Sequence, residues 1–459
     1  MSELVILGIG VTLLLTVAYI FSEDDFFSPS LIVCALFLVS VLFAIRDVIQ
    51  WNVSDSMFTT NATIFLLLGL ASFMVTEQIT KAVLRSSKKR VLVVRSVNNR
   101  IPIHPSRIRL SLVLFLMIAL VGYYCYMTYK YTAANGYEGG LNFSEIAAFR
   151  HANTFDSENS TQTSRLYRFS KYVIDANVFV CLWLLLRNTV YARDKVKKNV
   201  LYIVMILLSI PTCIINSSRG FILQIMGSGI FLFYIMMRRR NNWRKPGKIF
   251  KRILFWSTLI LFFSVSLFYY VQAKGLFGRL TNRSLLDHVT MYIGDPILNF
   301  YDFVKNPPSD RIIYFGQETF AGLNNLFVRL HIRDIKYSVQ LEFRNIQGHE
   351  GNIYTFFRRP LRDFGVVGMC IVTSLTSFLF TYIYYKKLYK KSESYVTDIT
   401  LIIYSYFFYI IYLFPMLCQL CNMVYFGMVY FVFFIYLFYR FLLGKGRKNI
   451  LRTRSINHK

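Results

Sequence analysis

The chain has 459 residues, of which 55% are hydrophobic and 17% charged, with a net charge of +28. Soluble domains carry about 25% charged residues, and an ionised group in hydrocarbon costs several kcal/mol. The balance therefore excludes an ordinary soluble protein and points to a chain immersed in lipid. Aromatic residues, at 17%, suit lipid contact and interfacial belts.

A membrane span needs about 20 mostly apolar residues. Eleven stretches qualify, near 4–21, 31–49, 61–82, 108–129, 172–192, 199–216, 220–237, 253–271, 364–385, 398–415 and 422–443. The expected fold is an all-α, polytopic membrane protein, one membrane domain over 1–459. The first stretch lacks a basic leader and is followed by Glu23, Asp24 and Asp25, so it reads as a retained helix. Arg46 and Asp47 interrupt the end of the second stretch. Most cysteines lie inside apolar stretches, where they act as small hydrophobes. Cys418 and Cys421 form a CxxC beside a short turn, a spacing open to disulfide or redox use.

The basic residues set the orientation. Segments 81–109, 187–198, 238–252, 386–391 and 440–459 hold 33 of the 52 Lys and Arg, and alternation of spans puts all five on one side. By the positive-inside rule that side is cytoplasmic. The charge is then topological and attracts anionic lipid headgroups, and no nucleic-acid partner is expected.

Two long segments face outward, 130–171 and 272–363. In the second, Asp295-Pro296 reads as a helix start, Ile297, Phe300, Tyr301 and Val304 mark one face, and Pro307-Pro308 ends it. A second helical pattern runs from Glu318 to Leu330. Both read as short amphipathic helices on the outer membrane surface.

Arg219, after Asn216-Ser217-Ser218, falls in the first turn of a span at its outer end. Helix N-termini attract anions, and a guanidinium there suits phosphate or pyrophosphate; a snorkelling anchor is the plainer reading. Arg279 and Arg283 share one helical face with Asp287, open to anion binding or to a solvated ion pair. Arg358, Arg359 and Arg362 precede the ninth stretch at headgroup level, for anchoring or for a site. His288, His331 and His349 lie in the large loop. His349-Glu350 is bracketed by Gly348 and Gly351, which allow a tight turn, and either side chain could take a proton from a bound hydroxyl. No HExxH, paired CxxC or P-loop occurs, so no metal or other cofactor is expected. Glu77 and Asp175 stand isolated in their spans, unlike the carboxylate chains of proton-driven transporters.

Asn216-Ser-Ser-Arg-Gly220 opening an apolar helix resembles the SSRG signature of Wzy-type O-antigen polymerases, also called oligosaccharide repeat-unit polymerases. Gly348-His-Glu-Gly-Asn-Ile-Tyr-Thr-Phe-Phe357 followed by Asp363-Phe364-Gly365 resembles that family's "NVYT-F…DFG" segment, and Tyr314-Phe-Gly-Gln-Glu-Thr-Phe320 its "FG…TF" stretch. The motifs keep the family's order and cover about 140 residues, from Asn216 to Gly365. The resemblance implies a GT-C-like glycosyltransferase architecture in the bacterial inner membrane. It implies undecaprenyl-pyrophosphate-linked oligosaccharide as substrate and a Wzz-type chain-length regulator as partner. It also implies a periplasmic site in which Arg219, Arg279, Arg283, Asn352, Tyr354, Arg358, Arg359 and Arg362 serve the substrate and His349 or Glu350 the acceptor proton.

Two other readings stay open. An O-antigen ligase has the same chemistry but transfers glycan to lipid A core. A lipid-linked oligosaccharide flippase is a transporter, for which short loops and internal repeats are expected; neither is seen here.

Overall fold

A computed structural model of the chain describes residues 2–86, 100–134, 145–146, 164–215, 219–244, 247–248, 252, 256, 285–335, 340–391, 393–423 and 425–444. In chain order the helices are α1 (Ser2–Ser22), α2 (Pro29–Trp51), α3 (Thr60–Ser86), α4 (Arg107–Ala134), α5 (Arg165–Leu186), α6 (Val200–Leu207), α7 (Ile210–Ile215) and α8 (Arg219–Arg240). They continue as α9 (Leu285–Ile293), α10 (Asp295–Lys305), α11 (Ala321–Arg329), α12 (Arg358–Ile383), α13 (Tyr395–Phe407), α14 (Tyr409–Tyr412) and α15 (Phe426–Leu443). A hairpin of β1 (Arg344–Ile346) and β2 (His349–Gly351) precedes α12.

Nine helical segments among the described residues are long and apolar enough to cross a membrane, and Gly427–Leu443 is apolar but shorter. The chain is a multi-pass, predominantly helical membrane protein. The stretch expected near 253–271 lies outside the described residues. Arg46 and Asp47 do not end α2, which runs on to Trp51. Arg46 binds Asp47 and, from α9, Asp287, each at 2.9 Å, so neither charge meets lipid unpaired. Asn52, in the left-handed conformation, closes the helix.

The contacts divide the chain into two compact units, each assembled from separated segments. The first comprises Met1–Leu92, Asn282–Tyr389 and Ile410–Phe426. Here α1 packs on α2 and α3, and α3 packs along α12. The Phe357 ring lies where a side chain at position 69 would stand, 2.3 Å from a Cβ built on Gly69. Ser377 of α12 donates to the Phe73 carbonyl at 2.6 Å. Phe356 stacks on Phe414 with centroids 3.9 Å apart, and its N–H bonds the Phe414 carbonyl at 2.9 Å.

The first of the two helices expected on the outer surface differs from expectation in placement. From Asp295 to Tyr301 every residue of α10 is buried, and the helix packs on α2 and α3. Its polar side chains face protein partners: Tyr301 meets Thr63 at 2.7 Å, and Asn299 donates to the Ile353 carbonyl at 2.9 Å. It belongs to the protein core and does not float on lipid. Glu77 is not isolated either. It accepts from the Ser30 N–H at 2.5 Å and pairs with Lys81 at 2.5 Å.

The second unit comprises Val93–Thr281, Lys390–Tyr409 and Gly427–Lys459. Helix α5 continues through one π-helical turn, Arg187–Tyr191, and α6 breaks before α7 near Pro211, where proline removes a helix N–H. Two aromatic clusters tie the helices: Phe179, Tyr406 and Phe431 join α5, α13 and α15, and Phe231 of α8 packs on Tyr404 and Phe408 at and just after α13. Asp175 pairs with Lys171 at 2.5 Å.

Candidate functional site

The motif stretches of the large loop come together at the start of α12. Two successive residues of positive φ, Gln347 (51°) and Gly348 (81°), turn the hairpin, the geometry of a type I′ turn. The turn thus precedes His349-Glu350 and is not closed around it, and both residues sit on β2. His349 is half-buried and its ring stacks on Trp51, centroids 3.8 Å apart and 10° from parallel. Glu350 is exposed. The C-terminal end of α2 therefore carries the hairpin, and the imidazole has one broad face covered by indole.

Downstream of the hairpin, the chain turns inward. Asn352 donates to the Gln340 side chain at 3.2 Å. Tyr354, Phe356 and Phe357 are buried almost completely. The Tyr354 hydroxyl donates to the Glu342 carbonyl at 3.0 Å, and burial beside the Glu342 charge pushes the phenol well above its usual range. Tyr354 is thus a packed, neutral group. Much of the Ile-Tyr-Thr-Phe-Phe stretch is there to seal the first unit.

The three arginines at the start of α12 converge on one residue, Glu318. Glu318 pairs with Arg358, lies 2.9 Å from Arg362, and its carbonyl accepts from Arg359 at 2.9 Å. Arg358 is fully buried, holds both oxygens of Glu342 at 2.8 and 2.6 Å, and faces the rings of Phe303 and Tyr354. Arg362 also bonds Asp310 at 2.8 Å, which holds that carboxyl below its ordinary range. Arg344 pairs with Asp302 at 2.8 Å. A buried guanidinium needs such partners, and here the protein supplies them.

Asp363 joins the remaining two motifs. Its carboxylate accepts from the backbone N–H groups of Glu318, at 3.1 Å, and Thr319, at 2.6 Å. Phe364 meets Phe315 at 4.7 Å and Phe320 at 6.3 Å. Directly after it, Gly365 has φ 67° and ψ −170° and breaks α12, a region essentially reserved for glycine. The break lets the first turns of α12 face the loop while the rest crosses as a span.

Helix α8 is described from Arg219 onward; the Arg219 and His288 side chains lie outside the described residues, as do Asn216–Ser218, Arg279 and Arg283. His331 is exposed. Among the described residues, no three His, Cys, Asp or Glu gather as a metal site would require. Cys418 and Cys421 are free and buried, the Cys421 thiol meeting the Cys418 carbonyl at 3.1 Å. Trp51, Glu318 and Glu342 were not singled out from the sequence. The one legible signal was a tryptophan at a span end, since indoles favour interfaces.

Comparison of the chain with protein families, with curated proteins and with solved structures finds no match.

Proposed function

We propose that the chain is a Wzy-type polymerase with a GT-C-like architecture, which joins undecaprenyl-pyrophosphate-linked repeat units into O-antigen or capsular polysaccharide at the periplasmic face of the bacterial inner membrane. The observation that carries the reading is the meeting of its motif stretches. Tyr314–Phe320 and Asp363–Gly365, separated in sequence, interlock through Asp363 and Phe364, and the Asn352–Phe357 stretch leads straight into the same cluster.

In this reaction a hydroxyl of the incoming unit attacks the anomeric carbon of the growing glycan. The new C–O bond forms as the bond to undecaprenyl pyrophosphate breaks, and the hydroxyl proton passes to a base. His349, held flat on Trp51, or the exposed Glu350 takes the proton, a role typically worth about 10²–10⁴-fold. Arg219, at a helix N-terminus, stabilises the departing pyrophosphate, since preformed positive charge acts most where charge develops. Arg358, Arg359 and Arg362 hold the platform through Glu318 and leave phosphate contact to Arg219, Arg279 and Arg283. A Wzz-type regulator is the expected partner for chain length.

The test is polymerisation by purified protein supplied with lipid-linked repeat units. Products longer than one unit are expected from the wild type, near-complete loss from Arg219→Lys, whose ammonium lacks the planar fork, and slow turnover with intact donor binding from His349→Ala. Deletion of the gene should leave a surface glycan of a single unit. Long chains retained on the carrier would indicate a ligase, and absence of units outside the cytoplasm a flippase.

A further inference from the structure

The basic end of the second unit holds more than topology requires. Basic residues at span ends normally extend their side chains into water or headgroups. Arg238 and Arg239, at the C-terminus of α8, instead turn inward and are 4% and 5% exposed. Arg239 lies in a group with Arg100, Arg187 and Arg240, whereas the Arg238 guanidinium sits over the Tyr234 and Trp243 rings and donates to the Arg244 carbonyl at 2.8 Å. Arg100 donates to the Arg240 carbonyl at 2.6 Å, Arg240 to the Val190 carbonyl at 3.1 Å, and the Tyr191 hydroxyl lies in the field of Arg100, Arg187 and Arg239.

Among the described residues, two carboxylates are seen beside these guanidinium groups. Glu393 is taken up by Arg187, with both contacts at 3.0 Å. Asp398 approaches Arg239 only to 3.5 Å, beyond a good charged hydrogen bond. Three nitrogens of Arg239 are buried without a hydrogen-bond partner, as are the Nε atoms of Arg238 and Arg240. Unmet donors on a buried cation are costly, and they cluster here on adjacent residues of one helix end. The C-terminal position of α8 also directs carbonyls, not N–H groups, toward this end, so the cations are not repelled by the helix itself.

We infer that this arginine cluster binds a phosphate group, through Arg239 as the central donor with Arg100 and Arg187 sharing its surroundings at Tyr191. A tetrahedral oxyanion offers several acceptors to a fork of N–H donors, and the excess of positive charge matches its charge. The shared chemistry fits a lipid phosphate headgroup and free phosphate alike. On the orientation expected from the basic segments, the cluster lies at the cytoplasmic end of α8, remote in role from the polymerisation chemistry and independent of it.

The test uses the full chain and follows its thermal unfolding. In neutral detergent, inorganic phosphate is compared with chloride at matched ionic strength; in vesicles, phosphatidylcholine is compared with phosphatidylcholine containing phosphatidylglycerol. A rise in midpoint with free phosphate identifies a soluble ligand, and a rise only with phosphatidylglycerol identifies a lipid headgroup. Arg239→Gln should weaken the response about 10- to 100-fold in ligand concentration, the loss of a charge-assisted contact. Lys198→Gln, which removes an exposed charge from the same end, should respond as the wild type does. If Arg239→Gln does not fold, the wild-type comparison decides alone. No rise with either anion, or equal responses from the two variants, overturns the site.

Discussion

Arg358 shows how far a charged residue can be read from sequence. In the sequence it belongs to an arginine group just before an apolar stretch, and headgroup anchoring and anion binding fit equally. The structure buries it completely and gives it Glu318 and Glu342. Those partners are 40 and 16 residues away, a pairing that spacing along one helix cannot reveal. Arg358→Ala should therefore cost about 1–3 kcal/mol, by emptying a fully buried site and removing the charge-assisted bonds to two part-exposed carboxylates, which keep Arg362 and Arg344 as partners, seen as a lower unfolding midpoint. Arg362→Ala should cost less, because its Asp310 partner is 73% exposed. Asp310 also gives a pH signature. Its folded pKa is lowered, chiefly by the hydrogen bond from Arg362. The contact is then fully formed above the unfolded carboxylate value of about 3.9 and lost as pH falls below it. Amide protection factors near Asp310, corrected for the intrinsic exchange rate at each pH, should fall on acidification through its lowered folded pKa, and Asp310→Asn should remove that dependence.

Among elements, the spans were legible because hydrophobic length is a direct physical requirement of lipid. The start of α10 at Asp295-Pro296 and its stop before Pro307 were legible for the same kind of local reason. What stayed hidden was the surface against which α10 packs. Its alternating apolar face fits lipid and protein equally, and only the partners Thr63 and Ile353 distinguish them. The interior break of α12 was hidden too, since one glycine in an apolar run carries no mark of its φ. Gly365→Ala should cost about 1–3 kcal/mol through backbone strain alone, because nothing lies near its added Cβ. Gly69→Ala acts differently, by overpacking against Phe357, at about 1–3 kcal/mol. Adding Phe357→Leu to Gly69→Ala should cost less than the two single changes together. Additive losses would show that the ring has room to move.

At the scale of the molecule, orientation rests on where the 33 basic residues sit. A reporter active only outside the cytoplasm should work when fused near Asn325 and stay silent near Lys89 or Lys245. Activity at Lys245 would reverse the assignment. The division into two units was not visible in the sequence, because each unit draws on distant segments and hydropathy gives spans without neighbours.

That interrupted layout has a consequence for the ribosome. Helices α1, α2 and α3 pack on one another and can settle early. The face of α3 that receives Phe357 and Ser377 cannot be covered until α12 is made. The 288 residues that follow Gly69, up to Phe357 (357 − 69), must be synthesised first, on the order of 15–60 s at roughly 5–20 residues per second. During that interval a growing chain holds an unfilled groove at Gly69 in the bilayer. Lipid tails or an insertion factor must occupy it, so slowing elongation within α4–α8 should lower the yield of folded protein more than slowing it within α13–α15.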